Sequence, residues 1–316
     1  MIRLITIAFI FVLNFSLAQH IVVPVQHQFA RLSYNPGYAG VKQGLQSSLI
    51  TRQSTQSQFP YSYSGVNVSA PVRYNSMGLG VVVEQSKIAV NKRTSIKGAF
   101  AYKIQVLKGV LSFGLDVGFD QYSVDTRGQT IQTLTDNTLF EKGTDILPVL
   151  GAGLFYANKK SFVGISIDRM LPVNIKFPTV PIQPRIRSKE LTLVAGRGVE
   201  LRYGIVVRPS VFIQAIANVP LVAYVSSVVD FKQKAWIGVG YRWDAELAVM
   251  AGVNFEKLVQ GVTLPIKVGV SFSRPVDHGI PIGAPIEMMI SYYYKKRPNP
   301  DKIKNKKRIV SPVIFY

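Results

Sequence analysis

Large apolar residues alternate with small or polar residues along most of this chain. From Leu111 to Asp120 every odd-numbered residue is large and apolar, while every even-numbered residue is serine, glycine or aspartate. Successive side chains of a β-strand point to opposite faces, so this alternation predicts a strand with one apolar face and one polar or glycine-lined face. The same alternation recurs in residues 94–106, 234–243, 245–255 and 262–273. The chain is therefore predicted to be an all-β protein.

The alternating segments are long and even in number. A soluble β-sandwich has strands of about five or six residues, whereas a bacterial transmembrane barrel uses about nine to eleven per strand and an even number of strands. The length of the segments favours the membrane barrel over the sandwich, so we predict a transmembrane antiparallel β-barrel of 14 strands with a short N-terminal periplasmic or plug segment. The predicted strands are 45–53, 61–70, 77–85, 94–106, 110–121, 146–157, 161–168, 190–198, 203–216, 221–230, 234–243, 245–255, 262–273 and 286–296.

Composition and link lengths agree with this fold. Charged residues make up 17% of the chain, against about 25% in soluble domains. With the N-terminus in the periplasm, even-numbered links are periplasmic, and those near residues 108, 159 and 232 are tight, while long links near 122–145, 169–189 and 274–285 are external. Aromatic residues near strand ends are typical of the girdles of such barrels; they include Tyr102, Phe119, Phe155, Tyr156, Tyr241, Trp243, Phe272 and Tyr292 to Tyr294.

The first residues predict export. Residues 1–18 contain Arg3, an apolar stretch from Leu4 to Leu17, and a small residue at Ala18 before Gln19. This order is typical of a cleaved signal peptide, and the apolar stretch is short for an uncleaved membrane anchor. The formal net charge of +20 would otherwise suggest nucleic acid as a partner. An exported protein does not meet the chromosome, so we predict a protein of the outer membrane, embedded in its lipid, that binds no nucleic acid.

An N-terminal segment, residues 19–44, precedes the barrel region, residues 45–296, and lacks the alternation. Its sequence Asn35-Pro36-Gly37-Tyr38-Ala39-Gly40 predicts a tight turn, because proline fixes φ and glycine allows backbone angles that other residues resist. Here the chain resembles the PorP/SprF family of the Bacteroidetes, which carries Asn-Pro-Ala-Tyr-Ala-Gly. Asn35, Pro36, Tyr38, Ala39 and Gly40 match that motif, Gly37 departs from it, and a preceding Phe-Ser-Gln-Tyr element is degraded to residues 29–32.

The resemblance extends beyond the motif and implies a function. The family also tends to have Leu-Ser-x-Gly and Gly-Phe-x-x-Tyr, which match residues 111–114 and 118–122. The resemblance implies an outer-membrane barrel of type IX secretion and gliding motility. Such a barrel supports export or surface anchoring of a large secreted adhesin with a C-terminal sorting domain. Periplasmic or lipoprotein components of the machinery are further implied partners. The alternative is a passive anion-leaning porin or a hydrophobic-substrate transporter similar to fatty-acid channels.

Two groups of cations account for the positive charge. A cationic run begins at Lys295 and continues into the tail, residues 297–316. Residues 295–308 have eight cations and one anion. In the tail, Lys302, Lys304, Lys306, Lys307 and Arg308 form either a solvated tail or a periplasmic docking tail for an acidic partner. The second group is predicted to face the lumen, where it pairs with acidic residues, selects anions or surrounds an acidic plug; it comprises Lys97, Lys103, Arg197, Arg202, Arg208, Lys234, Arg242 and Lys267.

The sequence does not favour an enzyme. It has no cysteine, and its only histidines are His20, His27 and His278. A serine hydrolase would require a Ser/His/Asp arrangement, and Asp277-His278 in a presumed loop is at most half of such a site. The pairs of glycines at 78/80 and 238/240 lie in predicted strands without a following helix, so they are not nucleotide loops. We predict no catalytic residue, no metal site and no cofactor.

Overall fold

The computed structural model of the protein describes residues 23–54, 60–72, 76–125, 142–175, 185–186, 188–217, 219–243, 245–258, 265–276 and 284–294. The predicted signal peptide, the tail and Asp277-His278 lie outside these residues. None of the helices within this part of the chain is long and apolar enough to cross a membrane.

Fourteen strands form one closed antiparallel barrel. Each strand pairs with its neighbours in sequence, and β1 closes the ring by pairing with β14, where Leu45 lies opposite Tyr294. The strands are β1 Leu45–Ser54, β2 Tyr61–Val72, β3 Met77–Ile88, β4 Asn91–Val106, β5 Gly109–Asp125, β6 Lys142–Asn158, β7 Ser161–Asp168, β8 Glu190–Arg197, β9 Ile205–Ile216, β10 Val222–Phe231, β11 Ala235–Arg242, β12 Glu246–Asn254, β13 Ile266–Pro275 and β14 Ile286–Tyr294. The 14 predicted segments all correspond to these strands, which confirms the predicted fold.

The shorter elements lie in links and in the N-terminal segment. Val199–Glu200 pairs with β9 just beyond β8, and Asn174–Ile175 pairs with Arg185–Ile186 in the link between β7 and β8. A 3-10 turn at Arg202–Gly204 and a helical turn at Phe255–Leu258 follow β8 and β12. The N-terminal segment contains the 3-10 turns His27–Phe29 and Pro36–Tyr38 and the helical turn Arg31–Tyr34.

The apolar face of each strand points outward. On β5, Val117 is 66% exposed whereas its neighbour Asp116 is 4% exposed. This inverts the arrangement of a soluble sandwich, because the outer face of a membrane barrel meets lipid. Tyr102, Tyr241 and Trp243 are exposed as the girdle prediction requires. The prediction was wrong for Phe155, which is fully buried inside the barrel because its position in β6 has the inward parity.

The two ends of the barrel differ in their links. At one end β4–β5 and β6–β7 are joined by the two-residue links 107–108 and 159–160, and β10–β11 by 232–234. The two longest links, 126–141 and 169–189, lie at the other end. Short periplasmic turns and longer external loops are the usual asymmetry of these barrels. We therefore call the end with the short turns the periplasmic rim.

The N-terminal segment lies inside the barrel. From Val23 to Val41 every residue is buried except Tyr34, which is half-buried. We call Val23 to Gly44 the plug. It leads directly into Leu45 at the start of β1, on the periplasmic side.

Candidate functional site

The turn at Asn35 attaches the plug to the barrel wall. Asn35 Oδ1 accepts a 2.8 Å hydrogen bond from the Gly37 nitrogen, which caps the 3-10 turn Pro36–Tyr38. Asn35 Nδ2 donates to the carbonyl oxygens of Leu154 on β6 and Ile165 on β7, at 3.0 and 3.2 Å. One amide thus both shapes the turn and binds two adjacent strands. This explains why asparagine, which has a donor and an acceptor, suits the position.

Glycines in the wall make room for this turn. Gly114, Gly153 and Gly164 lie on the inner faces of β5, β6 and β7. A Cβ on Gly164 would lie 2.8 Å from Asn35 Nδ2, and a Cβ on Gly114 would overlap the Gly37 nitrogen. The inward glycines that appear in the sequence as the small members of the alternation are therefore the surface against which the plug backbone packs.

The second half of the motif makes a similar contact with β3 and β4. Gly40 has φ +60°, a left-handed conformation that glycine adopts without steric cost. A Cβ on Gly78 of β3 would overlap the carbonyl of Ala39, so the two backbones are in direct contact. The Lys103 ammonium donates a hydrogen bond to the Gly40 carbonyl oxygen. The motif is thus held from β3 round to β7.

Aromatic side chains fill the space between the plug and the remaining wall. The Phe29 ring lies 5.2 Å from that of Trp236, and the Tyr38 ring lies 5.2 Å from that of Phe155. The Arg31 guanidinium lies 3.9 Å from the ring centroid of Phe162 on β7, within the range of a cation–π interaction. These contacts bury large apolar area between the plug and strands β6, β7 and β11.

His27 is buried among these aromatic rings. Its ring centroid lies 4.9 Å from Phe212 and 5.2 Å from Tyr224, and its Nδ1 lies 3.2 Å from the Pro24 carbonyl oxygen. Burial, reinforced by the nearby Arg31 charge, lowers the pKa of His27 from 6.5 to about 4. His27 is therefore neutral at physiological pH and acts as a packing residue of the plug.

A carboxylate on the last strand binds the N-terminal end of the plug. Glu287 on β14 accepts hydrogen bonds from the backbone nitrogens of Val25 and Gln26, both at 2.8 Å. Arg52 on β1 lies 3.5 Å from Glu287 and forms a second ion pair with Glu246 on β12. All three charged side chains are almost fully buried. Their mutual pairing and the two backbone donors compensate for the cost of desolvating them.

The inward charges of the wall are largely paired, which corrects the prediction of a basic lumen. Lys97 and Arg208, as predicted, face inward, but Lys97 lies 2.8 Å from Asp168 and Arg208 lies 2.9 Å from Asp230. Arg169, just after β7, lies 2.9 Å from Asp120. The buried charged side chains of the described residues are seven cations and five anions. The pairing alternative is therefore confirmed for most of the lumen.

Two parts of the charge prediction were wrong. Arg197, Arg202 and Lys234 are exposed at the periplasmic rim, because they lie at or beyond the ends of strands and not within the lumen. The plug is not acidic: Val23 to Gly44 contains Arg31 and Lys42 and no carboxylate. Wall carboxylates such as Glu287 bind backbone N–H groups of the plug, so the plug does not need acidic residues to be held in the lumen.

Sequence reasoning identified the motif but missed the residues that receive it. The structure brings Asn35, Pro36, Tyr38, Ala39 and Gly40 together in the buried turn of the plug. The candidate tail residues Lys302, Lys304, Lys306, Lys307 and Arg308 lie outside the described residues. Glu287 was not singled out, although an acidic residue between Ile286 and Met288, on the inward parity of an apolar strand, is the signal that could have found it.

The plug motif and the closed barrel agree with a family model. The model of the type IX secretion system membrane protein PorP/SprF matches residues 16–278. The chain belongs to the PorP/SprF family. This PorP/SprF protein is an outer-membrane β-barrel, as the sequence predicted. No curated protein matches it significantly.

Solved structures similar to this PorP/SprF barrel are distant. A deletion mutant of the TodX monoaromatic hydrocarbon channel is 11% identical, with a TM-score of 0.49, covering 84% of this chain and 94% of that one. CdiB from Acinetobacter baumannii is 10% identical, with a TM-score of 0.41, covering 80% and 60%. BamA from Haemophilus ducreyi is 8% identical, with a TM-score of 0.42, covering 80% and 71%.

Proposed function

We propose that this protein is a non-enzymatic barrel of the type IX secretion and gliding machinery that supports export or surface anchoring of a large secreted adhesin-like protein. The observation that carries the proposal is the filled lumen. The plug contacts inward residues from β1 round to β14, including Gln46 through Tyr38 and Glu287 through Val25. A barrel filled in this way is suited to hold other proteins at its ends.

The filled lumen counts against the passive porin or hydrophobic-substrate transporter. A pore needs a continuous path lined by polar groups or an apolar binding channel, and the plug occupies that path with packed aromatic residues such as Phe29 and Tyr38. His27, a potential acid–base residue, is 4% exposed and packs against Phe212 and Tyr224. This burial supports the assignment as a non-enzymatic protein.

Surface display tests the proposed function. We expect the barrel to co-purify with one large secreted protein from outer-membrane extracts, and we expect that protein to be lost from the cell surface in a deletion strain. Recovery of the barrel alone, together with normal surface display in the deletion strain, would refute the proposal.

Conductance tests the porin alternative. Purified barrel in planar bilayers is expected to show no large steady current, because the plug fills the lumen. Large anion-selective currents from the unmodified, partner-free protein would favour the pore.

A further inference from the structure

The periplasmic rim carries a continuous arc of exposed cations. The tight turn 107–108 lies beside 159–160, since Gly109 pairs with Asn158. The arc continues through backbone hydrogen bonds from the Gly198 nitrogen to the Lys160 carbonyl oxygen at 2.7 Å and from the Lys232 nitrogen to the Gly204 carbonyl oxygen at 3.0 Å. Its exposed charged residues have a net excess of five positive charges; they are Lys108, Lys159, Lys160, Arg197, Arg202, Lys232 and Lys234, with Glu200 and Glu256.

The same arc exposes two large apolar side chains. Leu107 is 88% exposed and Tyr203 is 83% exposed, whereas no apolar side chain within the described strands exceeds 66%. Leu107 lies next to Lys108, and Tyr203 lies next to Arg202. Aromatic residues and arginine are enriched in protein–protein interfaces. The arc therefore combines two exposed apolar anchors with cations, and these cations are complementary to a partner that carries negative charge.

The backbone at these turns is strained in a way that glycine or asparagine would relieve. Leu107 has φ +53° and Tyr203 has φ +62°, and Lys232 and Gln233 have φ +53° and +60°. Bulky residues rarely adopt this left-handed region, and tight hairpin turns normally place glycine, asparagine or aspartate there. The rim thus has large or charged side chains at positions where small residues would be more stable, and such strain is concentrated at functional sites.

The opposite end of the barrel is also cationic but lacks equally exposed apolar side chains. Exposed Lys87, Lys92, Lys189 and Arg274 lie there among half-buried carboxylates, and its most exposed apolar side chain among the described residues is Trp243 at 67%. The periplasmic rim is therefore distinguished by Leu107 and Tyr203 together with its cations.

We propose that this arc is a docking surface for an acidic periplasmic protein. Carboxylates of the partner would face Lys160, Arg202 and Lys232, and two separate apolar pockets of the partner would receive Tyr203 and Leu107, which lie in different turns of the rim. A protein is favoured over phospholipid headgroups because the two apolar side chains are at turn tips beyond the strand ends and are more exposed than the lipid-facing ones. The inference deepens the proposed function by assigning a surface through which the barrel joins an assembly.

Photo-crosslinking in the native cells tests the docking surface. A benzoylphenylalanine in place of Tyr203 in the full-length barrel is expected to form an adduct with an acidic protein. The same group in place of Trp243, which is 67% exposed at the opposite end, controls for non-specific capture. The adduct is expected to fall at least tenfold in the Lys160→Glu/Lys232→Glu variant, and to persist in the Lys160→Arg/Lys232→Arg variant and the Lys87→Glu/Lys92→Glu control.

Several results would overturn the docking surface. They are an adduct with phospholipid only, the same adduct from position 243, and an adduct whose yield does not respond to charge reversal at Lys160 and Lys232. A heat-modifiability gel shows that each variant contains the folded barrel. Loss of adhesin display does not enter this readout, so failure of the docking surface is distinguishable from failure of the proposed function.

Discussion

Glu287 is predicted to control how firmly the N-terminal end of the plug is bound. Its carboxylate accepts the backbone N–H groups of Val25 and Gln26, each at 2.8 Å, and lies 3.5 Å from Arg52. A hydrogen bond to a charged group contributes about 1.5–3 kcal/mol. Glu287→Gln removes the charge but keeps one carbonyl acceptor. We therefore expect the binding of the N-terminal end of the plug to weaken by about 2 kcal/mol, which raises the equilibrium constant for its local opening roughly thirtyfold.

Hydrogen exchange measured by mass spectrometry on the purified barrel tests this prediction. The amides of Val25 and Gln26 should exchange roughly thirtyfold faster in Glu287→Gln than in the unmodified protein. Glu246→Gln is the matched control, because Glu246 pairs with the same Arg52 from β12 while the two plug amides bind Glu287. Unchanged exchange in Glu287→Gln, or equal acceleration in both variants, would refute the reasoning.

Two further predictions concern the seat of the plug and its pH dependence. Gly114→Val should displace the plug and raise bilayer conductance, because a Cβ on residue 114 overlaps Gly37. Gly98→Val is the control, since the atom nearest to a Cβ there is 3.9 Å away. A Gly114→Val barrel that conducts no more than the unmodified protein would contradict the prediction. The pKa of His27 is lowered to about 4 when the plug is bound in the barrel. The plug is therefore bound most strongly above about pH 6.5, the unperturbed pKa of histidine, and its binding weakens as the pH falls from about 6.5 to about 4. His27→Gln should reduce the pH dependence of plug opening, measured by hydrogen exchange of the plug amides between about pH 4 and 6.5. An unchanged pH dependence would exclude His27 as the cause of the weakening.

Much of the barrel could be predicted because its signal is local. Residues 111–120 alternate with period two, and a strand places successive side chains on opposite faces whatever it pairs with. Long alternating segments then distinguished a lipid-facing barrel from a sandwich. The same logic failed at Arg197 and Lys234, because parity gives the face of a residue but not its distance from the end of the strand.

The plug site was only partly predictable. Asn35 and Gly40 could be recognised as a turn from their own conformational preferences. The partners of that turn could not, because Leu154 and Ile165 contribute backbone carbonyls, and any residue type has a carbonyl. The contact of Gly114 with the plug backbone was likewise not predictable. In the sequence, an inward glycine that receives another backbone looks the same as any other small inward residue.

The sequence by itself determined the strand number, the outward apolar face and the turn at Asn35, since each depends on residues close together in the chain. Only the tertiary structure decided that the N-terminal segment fills the lumen and that the inward charges pair. Val25 and Glu287 are separated by 262 positions and meet only when β14 closes the ring beside β1. Closure also turns the polar faces of the strands inward, where opposite charges pair with one another and with backbone groups of the plug, and this pairing compensates for their loss of hydration.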